Sequence, residues 1–247
     1  MNTGKRKDVM IFYEEDSKIY DEDRFESLQG RYIDWSQKDV LLKMNSDWKN
    51  KKILDIATGT GRFATIMAKC GADVFALDSS LSMLKKTKEK NNKMEQNKIV
   101  LVNGDACNIP FDDNSFDGCT CINALNHIPN YKAVLGEVSR VLKPNGLFIA
   151  TFPNMFSLFL PVALWVNFRR TSVLNNVYTK WFTLFEVKKA LSNAGLKIQE
   201  IEGDYMFPPL SEKSLFLMRI LDDCSRSSAL KYFSGSPFIK SIKRGDK

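Results

Sequence analysis

Two glycines alternate with threonines in the stretch Ile53 to Ala64, ILDIATGTGRFA, where an apolar run meets a helix-like pattern. A dinucleotide-binding loop would read G-x-G-x-x-G. Here Ala57 stands in place of the first glycine, Gly59 and Gly61 follow it, and no GK[ST] motif comes after them. Glycines at a strand-to-helix turn let a ligand approach the backbone closely. The stretch therefore predicts contact with a ligand that is not held by its phosphates.

Acidic side chains recur where the predicted strands end. Asp55 lies near the end of the first strand, Asp78 closes the second, and Asp105 follows the third. An acid at the end of the second strand, about 20 residues past a glycine loop, is suited to accept hydrogen bonds from both hydroxyls of a ribose. An acid after the third strand can accept from the exocyclic amine of a base. These positions predict a nucleoside site at one edge of a sheet.

Predicted strands and helices alternate along the chain, which indicates an α/β fold with a mainly parallel sheet and helices on both faces. Ligands of such sheets bind beyond the carboxyl ends of the strands, where the glycine loop and the acids lie. The segment Phe238 to Lys243 is predicted to be a last strand, antiparallel and at the sheet edge. The strands predicted before it are Lys52 to Ala57, Asp73 to Asp78, Ile99 to Val102, Phe116 to Ile122, Leu147 to Phe152 and Lys197 to Ile201.

The length of 247 residues, with 44% apolar side chains, fits one large domain with an insertion. Residues 1–48 mix aromatic and charged side chains and are predicted to form an N-terminal helical cap. Residues 49–247 are predicted to form the α/β core. Within the core, the apolar and basic segment at about 154–182 breaks the alternation, and we expect it to be a lid over the substrate.

The charge balance and the cysteine content indicate which partners and which cellular compartment to expect for this protein. The net charge is +7, yet 29 acidic residues accompany 36 basic ones, so we interpret the lysines as solvated helix faces rather than a nucleic-acid surface. Five cysteines give no disulfide framework and no signal peptide is visible, which predicts a cytoplasmic setting. The longest apolar stretch, Met155 to Phe168, is short and interrupted, so it is not predicted to span a bilayer.

Several stretches of the chain follow one another in a specific order and spacing. They are VMIFYEEDSKIYDEDRF, ILDIATGTGRFA, VFALDSSLSML, VNGDACNIPFDDNSFD, CTCINALNHIPN, EVSRVLKPNGLFIATFPN and, further on, WFTLFEVKKALSNAGLKI. In this order they resemble the class I S-adenosylmethionine-dependent methyltransferases of small molecules, in the ubiquinone/menaquinone methyltransferase-like group. The resemblance implies a Rossmann-like class I methyltransferase fold with a seven-stranded, mainly parallel sheet.

The resemblance also implies a role for each matching position. The glycine loop would lie beneath the methionine moiety of the cofactor, Asp78 would hold the ribose and Asp105 would meet the adenine amino group. Tyr20 and Arg31 would reach the carboxylate of the methionine moiety from the N-terminal helices. Ala57 departs from the glycine that is most frequent in the family, for which we expect weaker cofactor binding at most. The implied cofactor-binding residues are Tyr20, Arg31, Asp55, Ala57, Gly59, Gly61, Asp78, Met83, Asp105, Ala106 and Cys121.

His127 is the only histidine in the chain. It is a candidate general base, because the pKa of histidine lies near a working pH. By the resemblance, a histidine at this position often serves helix packing or capping instead, and both roles stay open. Cys107, Cys119 and Cys121 are interpreted as small buried hydrophobes, because one histidine cannot complete a usual zinc set. No metal is predicted.

Aromatic side chains gather after the fifth predicted strand, where the resembling family builds its substrate lid. An apolar pocket that ends in Arg169 and Arg170 would suit a lipophilic or aromatic acceptor with an acidic group. The same surface could instead rest on a membrane. We favour the closed pocket, because Pro161 and Asn167 interrupt an amphipathic face. The candidate substrate residues are Phe156, Phe159, Trp165 and Trp181.

The predicted function is transfer of a methyl group from S-adenosylmethionine, leaving S-adenosylhomocysteine, to an oxygen, nitrogen or carbon of a small organic acceptor. Three alternatives stay open: an enzyme acting on nucleic acid such as tRNA, a non-catalytic methyltransferase-like binding subunit, and a dinucleotide oxidoreductase. The sequence NALNH after the fourth strand disfavours the first, and the presence of both Asp78 and Asp105 disfavours the second. The missing G-x-G-x-x-G disfavours the third. The sequence leaves the identity of the acceptor and the oligomeric state open.

Overall fold

The computed structural model describes residues 3–94, 99–158, 160–161, 178–205, 211–226 and 228–245. Within this part, seven strands form one sheet. The strands are β1 (Lys52–Ile56), β2 (Asp73–Asp78), β3 (Ile99–Asn103), β4 (Phe116–Cys121), β5 (Leu142–Thr151), β6 (Leu196–Glu202) and β7 (Phe238–Lys243). Their spatial order is β3-β2-β1-β4-β5-β7-β6, and β1 to β5 pair in parallel. The predicted α/β fold with a seven-stranded, mainly parallel sheet is confirmed.

The last strand of the chain, β7, lies inside the sheet. It pairs antiparallel with β5 on one side and with β6 on the other. The prediction of an antiparallel last strand is confirmed, but its place at the edge is wrong, since β6 occupies that edge. Phe238, Ile239 and Ser241 are almost fully buried. Such burial is typical of a strand that has neighbours on both sides and helices on both faces.

Helices cover both faces of the sheet. The described α-helices are α1 (Thr3–Asp16), α2 (Tyr20–Phe25), α3 (Leu28–Met44), α4 (Arg62–Lys69), α5 (Leu81–Asn91), α6 (Tyr131–Val141), α7 (Leu184–Asn193) and α8 (Leu215–Arg226). Helices α6 and α7 share a core with Phe148 and Ala150 of β5, whereas α3 and α4 share the other core with Ile149. Successive side chains of a strand point to opposite faces, so the two helix pairs lie on opposite sides. Within the described residues, no helix is both long and apolar enough to cross a bilayer.

Hydroxyl side chains define where several helices begin. Ser27 accepts a hydrogen bond from the backbone N–H of Gly30 at 3.0 Å at the start of α3. Ser80 does the same for Met83 at 3.1 Å at the start of α5. Thr183 precedes α7 and accepts from a backbone N–H of its first turn. Such caps supply an acceptor for N–H groups that have no partner inside the helix.

The N-terminal helices are fastened to the carboxyl edge of the sheet. Glu14 of α1 accepts hydrogen bonds from the hydroxyls of Ser80 and Ser82 at the start of α5, the latter at 2.7 Å. Asp21 of α2 accepts from the hydroxyl of Thr60 in the glycine loop, also at 2.7 Å. A carboxylate at a helix N-terminus is further stabilised by the helix dipole. These contacts place α1 and α2 over the ends of β1 and β2.

The two ends of the expected lid pair with each other. The backbone N–H of Phe182 donates to the carbonyl of Pro153 at 2.8 Å, and Met155 donates back to Phe182 at 2.9 Å. Residues 154 and 182 form an isolated parallel bridge. The described ends of the expected lid therefore form one paired stem.

Candidate functional site

A cavity opens beyond the carboxyl ends of β1, β2 and β4, where the order of the strands along the sheet reverses. Its empty volume, which includes part of the open mouth, is about 1150 Å³. The loops after β1, β2, β3 and β4 form its floor, and α1 and the first residue of α2 form one wall. Asp78, Asp105 and the glycine loop, which the sequence places at strand ends, thus meet in one site.

The glycine loop needs a left-handed backbone at three positions. The φ angles of Ala57, Gly59 and Gly61 are 53°, 56° and 75°. A Cβ on Gly61 would lie 2.6 Å from the Cγ2 of Thr87, so this glycine permits close packing on α5. A Cβ on Gly59 would meet no atom within 4 Å, and Gly59 lines the cavity. Ala57 adopts the same conformation at a cost of roughly 1–2 kcal/mol relative to glycine.

Asp78 connects the end of β2 with the glycine loop. Its Oδ2 accepts a hydrogen bond from the backbone N–H of Gly59 at 2.8 Å, and its Oδ1 accepts from Ser80 at 2.9 Å. The residue is 8% exposed and lines the cavity. Burial raises the pKa of Asp78, and the backbone hydrogen bonds from Ser80 and Gly59 oppose that shift. The carboxylate is therefore held rigidly, with acceptor capacity left toward the cavity.

Asp55 lies beneath the loop rather than in the cavity lining. Its two oxygens accept hydrogen bonds from the hydroxyls of Thr58 and Thr120, both at 2.6 Å. Burial raises its pKa to about 6. The side chain thus ties the glycine loop to β4. Gly61, in the loop, and Cys121, at the end of β4, are not among the residues that line the cavity.

The far end of the cavity has the features expected for an adenine site. Met83, Asp105 and Ala106 line it. The Oδ1 of Asp105 accepts a hydrogen bond from the backbone N–H of Cys107 at 2.9 Å, which fixes the carboxylate. Met83 is almost fully buried. The space at Gly59 that a Cβ would fill, the ribose-suited carboxylate of Asp78 and this apolar end together fit S-adenosylmethionine.

Two tyrosines bring aromatic rings to the wall formed by the N-terminal helices. Tyr13 and Tyr20 line the cavity, and their ring centroids are 6.4 Å apart. Burial raises the pKa of both phenols, so both are neutral at physiological pH. The guanidinium of Arg24 lies 4.1 Å from the Tyr20 ring centroid and pairs with Asp16 at 2.7 Å. The sequence analysis named Tyr20 but missed Tyr13, although Val9 and Tyr13 share one face at helical spacing.

Among the described residues, Arg62 is the arginine that lines the cavity. It stacks on the ring of Phe25 at 3.6 Å and pairs with Asp34 at 2.6 Å. Arg31, expected at the cofactor carboxylate, does not line the cavity. Its guanidinium contacts the backbone carbonyl of Glu26 and its side chain is 59% exposed. Arg62 directly follows the glycine loop, and that proximity is the sequence signal that could have identified it.

His127 lines the cavity, but both of its ring nitrogens are engaged. Nε2 lies 2.9 Å from the amide nitrogen of Asn126, and Nδ1 lies 3.1 Å from the carbonyl of Tyr178. Burial lowers its pKa to about 4, so the imidazole is neutral at physiological pH. The carbonyl of Asn126 also accepts from the backbone N–H of Lys180 at 2.9 Å. The histidine thus fastens the end of the lid segment to the turn after β4.

Asn123 is a further cavity residue that the sequence analysis did not assign to the site. It adopts a left-handed backbone, with φ of 56°, at the end of β4. Its amide nitrogen donates to Gln37 at 3.0 Å, and its backbone N–H donates to the hydroxyl of Thr151 at 2.7 Å. Asparagine tolerates this conformation better than most residues. An asparagine directly after a predicted strand is therefore the sequence signal that could have identified Asn123 as a cavity residue.

None of the expected substrate residues of the lid that the structure describes lines the cavity. Phe156 is 62% exposed, Trp181 is half-buried, and neither lines the cavity. Phe159 and Trp165 lie outside the described residues. In the described part, the apolar wall of the cavity comes instead from Val9, Met10 and Tyr13 of α1 and from Ile128 and Pro129.

The cysteines give no metal site in the part of the chain that the structure describes, where no group of three potential ligands comes together. Cys119 and Cys121 are buried in the core of the sheet. Burial raises the pKa of both thiols. This placement is consistent with small apolar core residues.

Comparisons with known proteins agree with this geometry. Residues 54–150 match a family model described as a methyltransferase domain. The chain is 33% identical over 162 residues to a demethylmenaquinone methyltransferase of Geobacillus kaustophilus. The aligned region covers 64% of this chain and 68% of that protein. A solved S-adenosylmethionine-dependent methyltransferase from Mesorhizobium loti has a TM-score of 0.63 at 16% identity and covers 84% and 97% of the two chains. A magnesium protoporphyrin IX methyltransferase from Synechocystis with bound S-adenosylmethionine has a TM-score of 0.63 at 13% identity and covers 96% and 97%.

Proposed function

This chain belongs to the class I S-adenosylmethionine-dependent methyltransferases, in their ubiquinone/menaquinone methyltransferase-like group, and we propose that its acceptor is a lipophilic quinol. It transfers a methyl group from S-adenosylmethionine to a small molecule. The relatives include enzymes named for demethylmenaquinone. The cavity supports best an acceptor of that chemical class, which has an apolar tail and a ring carbon that is not yet methylated.

The observation that carries the proposal is that polar and apolar groups of the cavity lining come from different elements. The polar groups Gly59, Asp78 and Asp105, at the ends of β1, β2 and β3, are assigned to the cofactor. The apolar groups Tyr13 and Ile128 come from α1 and the turn after β4, where the rings of Tyr13 and His127 lie 5.7 Å apart. Apolar walls with few polar groups are typical of sites for lipophilic ligands. The acceptor ring is therefore proposed to lie against α1 and the turn after β4.

We assign the cofactor contacts as follows. Asp78 accepts from the ribose hydroxyls, Asp105 accepts from the adenine amine, and Met83 packs on the adenine. The backbone of Gly59 approaches the methionine moiety, which Asp55 supports from below. Arg62 replaces Arg31 as the cation proposed for the carboxylate, because Arg62 lines the cavity and Arg31 does not.

Alignment and exclusion of water are the chief contributions of the protein to the reaction. S-adenosylmethionine, which Gly59, Asp78 and Asp105 would hold, would supply an activated methyl group and would retain the carbon–sulfur electron pair on sulfur. The chain holds the acceptor carbon in line with that bond, between α1 and the floor of the cavity. A hydroquinone ring is electron-rich at carbon, so the new carbon–carbon bond forms there, and the displaced ring proton passes to solvent beyond the mouth of the cavity. His127 is neutral with both nitrogens engaged, so we assign it to positioning the lid segment rather than to proton transfer.

We further propose that residues 1–48 act as a cap that closes the site and that the segment 154–182 acts as a lid for the acceptor. The hydrogen bonds of Glu14 and Asp21 support the first assignment, because they anchor α1 and α2 at the cavity. The paired stem of the insertion and its contact with His127 support the second.

The test is methyl transfer in detergent with methyl-labelled S-adenosylmethionine. Demethylmenaquinol and its oxidised quinone serve as a matched pair of acceptors, and the position of the label is read by mass spectrometry. We expect a labelled ring carbon with the quinol only. A label on oxygen, or no labelled product from any quinol, contradicts the proposal. Tyr13→Ala should raise the acceptor KM and leave S-adenosylhomocysteine affinity unchanged, whereas Phe156→Ala should alter neither, because Phe156 is exposed and does not line the cavity.

A further inference from the structure

Helix α8 has its polar residues inside and its apolar residues outside. Asp222, Ser225 and Arg226 are buried, each at 5% exposure or less. Phe216, Leu217, Ile220 and Leu221 are exposed, with Phe216 at 76%. A surface helix of a globular protein normally buries its apolar stripe. The orientation of α8 is the reverse, and it leaves four large apolar side chains on the surface.

Specific polar contacts hold the helix in this orientation. The hydroxyl of Tyr32 donates to Asp222 at 2.6 Å. The guanidinium of Arg226 donates to the hydroxyl of Ser36 at 2.6 Å and pairs with Asp39 at 2.9 Å. Rotating α8 to bury its apolar face would leave these buried groups without partners, which is strongly unfavourable. The exposed apolar face is therefore built into the fold.

The apolar face of α8 continues into the turn that follows. The turn Ala229–Phe233 packs on α8 and exposes Tyr232 and Phe233. We call Phe216, Leu217, Ile220, Leu221, Tyr232 and Phe233 the outward apolar surface. The backbone N–H of Leu158, which is half-exposed in the stem of the lid, donates to the carbonyl of Phe233 at 3.1 Å. The surface thus adjoins the segment proposed to admit the acceptor.

The charges around the outward apolar surface decide between occupants. Lys213, Arg219 and Lys231 lie on or beside it. Among the described residues, the nearby acids are Glu212, which faces Arg31, Asp223, which faces Arg226, and Glu202, which interacts electrostatically with Lys231. With Arg31 counted beside Lys213, Arg219 and Lys231, the accessible rim has an excess of one cation, on a chain with net charge +7. A second copy would bring like charges together, whereas an anionic bilayer would complement them. Apolar side chains interspersed with cations are typical of helices that lie in a membrane interface.

We propose that the outward apolar surface docks on an anionic membrane, with the stem of the lid facing the lipid. The inference rests on the proposed function in one respect: a quinol with an apolar tail resides in the bilayer, and docking there would bring the lid to it. The binding itself depends only on α8 and the turn. It can therefore be measured without the acceptor.

The experiment is sedimentation of the full chain with vesicles of phosphatidylcholine alone or mixed with phosphatidylglycerol, at low and high salt. We expect binding to the mixed vesicles, weakened by salt. Phe216→Gln should lower the partition coefficient roughly tenfold, as expected when one large apolar side chain no longer enters the lipid. Lys213→Gln should lower it roughly fivefold, as expected for one surface cation. Phe185→Gln is the matched control, because Phe185 is 77% exposed on α7, on the other face of the sheet.

The outcomes of the sedimentation experiment distinguish membrane docking from self-association and from no binding. No sedimentation of the wild type, or equal losses for Phe216→Gln and Phe185→Gln, overturns the proposal. A concentration-dependent dimer that Phe216→Gln converts to a monomer, without vesicle binding, overturns it in favour of self-association. Melting curves and S-adenosylhomocysteine titrations confirm that each variant is folded. Methylation of the quinol in detergent without vesicle binding refutes only this inference, and vesicle binding without methylation refutes only the proposed acceptor.

Discussion

Replacing Asp78 with alanine is the most direct test of the cofactor site. The carboxylate accepts backbone hydrogen bonds from Gly59 and Ser80 and lines the cavity. Its remaining acceptor capacity is assigned to two ribose hydroxyls. A hydrogen bond to a charged group contributes roughly 1.5–3 kcal/mol, so two contribute about 3–6 kcal/mol. Since 1.4 kcal/mol corresponds to about tenfold in affinity, we expect Asp78→Ala to weaken cofactor binding at least about 100-fold.

The effect of Asp78→Ala on folding should be smaller, because two changes oppose each other. The backbone N–H groups of Gly59 and Ser80 lose their acceptor, at about 1–3 kcal/mol each, although water from the open cavity can replace it. At the same time a buried charge disappears, whose pKa burial had raised. The matched control is Asp73→Ala, at the exposed opposite end of β2.

The assay is calorimetric titration with S-adenosylhomocysteine, with thermal melting of each variant. Asp73→Ala should bind like the wild type. A loss of less than about threefold in a folded Asp78→Ala protein, which corresponds to under about 1 kcal/mol, would falsify the assignment of the ribose to this carboxylate.

Three further predictions concern the loop, the histidine and the buried acid. Gly61→Ala places a Cβ 2.6 Å from Thr87 and should lower the melting temperature, whereas Gly59→Ala should stay folded and lose cofactor affinity; equal melting losses contradict this. His127→Ala should lower thermal stability and leave turnover per folded molecule within about tenfold, whereas a rate loss of about 10²–10⁴ in a stable variant would identify a general base. Burial raises the pKa of Asp55 to about 6 from 3.8, so the folded state binds more protons than the unfolded state in that interval and stability falls as pH rises through it. Asp55→Asn should reduce the pH dependence of the free energy of unfolding, measured by urea denaturation, by about 2–3 kcal/mol. An unchanged pH dependence contradicts the raised pKa of Asp55.

Much of the polar half of the site was predictable from the sequence, because it depends on local patterns. Gly59 and Asp105 closely follow predicted strands, and Asp78 is the last residue of one. Parallel strands bring their carboxyl ends to one edge, so such residues meet whatever the details of packing. The buried strands and the serine and threonine helix caps have equally local causes.

The place of β7 was decided only by the tertiary structure. A run of six residues such as Phe238–Lys243 indicates a strand but does not indicate which strands pair with it. Pairing with both β5 and β6 depends on the position of those strands, which lie far away in sequence. The burial of both faces of β7 appears only once the sheet and its helix layers are assembled.

The apolar half of the site and the orientation of α8 were likewise beyond the sequence. Tyr13 reaches the cavity because Glu14 fastens α1 to the start of α5, and that contact joins residues 68 positions apart. The apolar pattern of α8 predicts a helix that buries Phe216 and Ile220. The fold does the opposite, because Asp222 and Arg226 find partners on α3 that only the folded chain provides. Local pattern thus determined which residues could do chemistry, and long-range polar contacts decided which surfaces surround them.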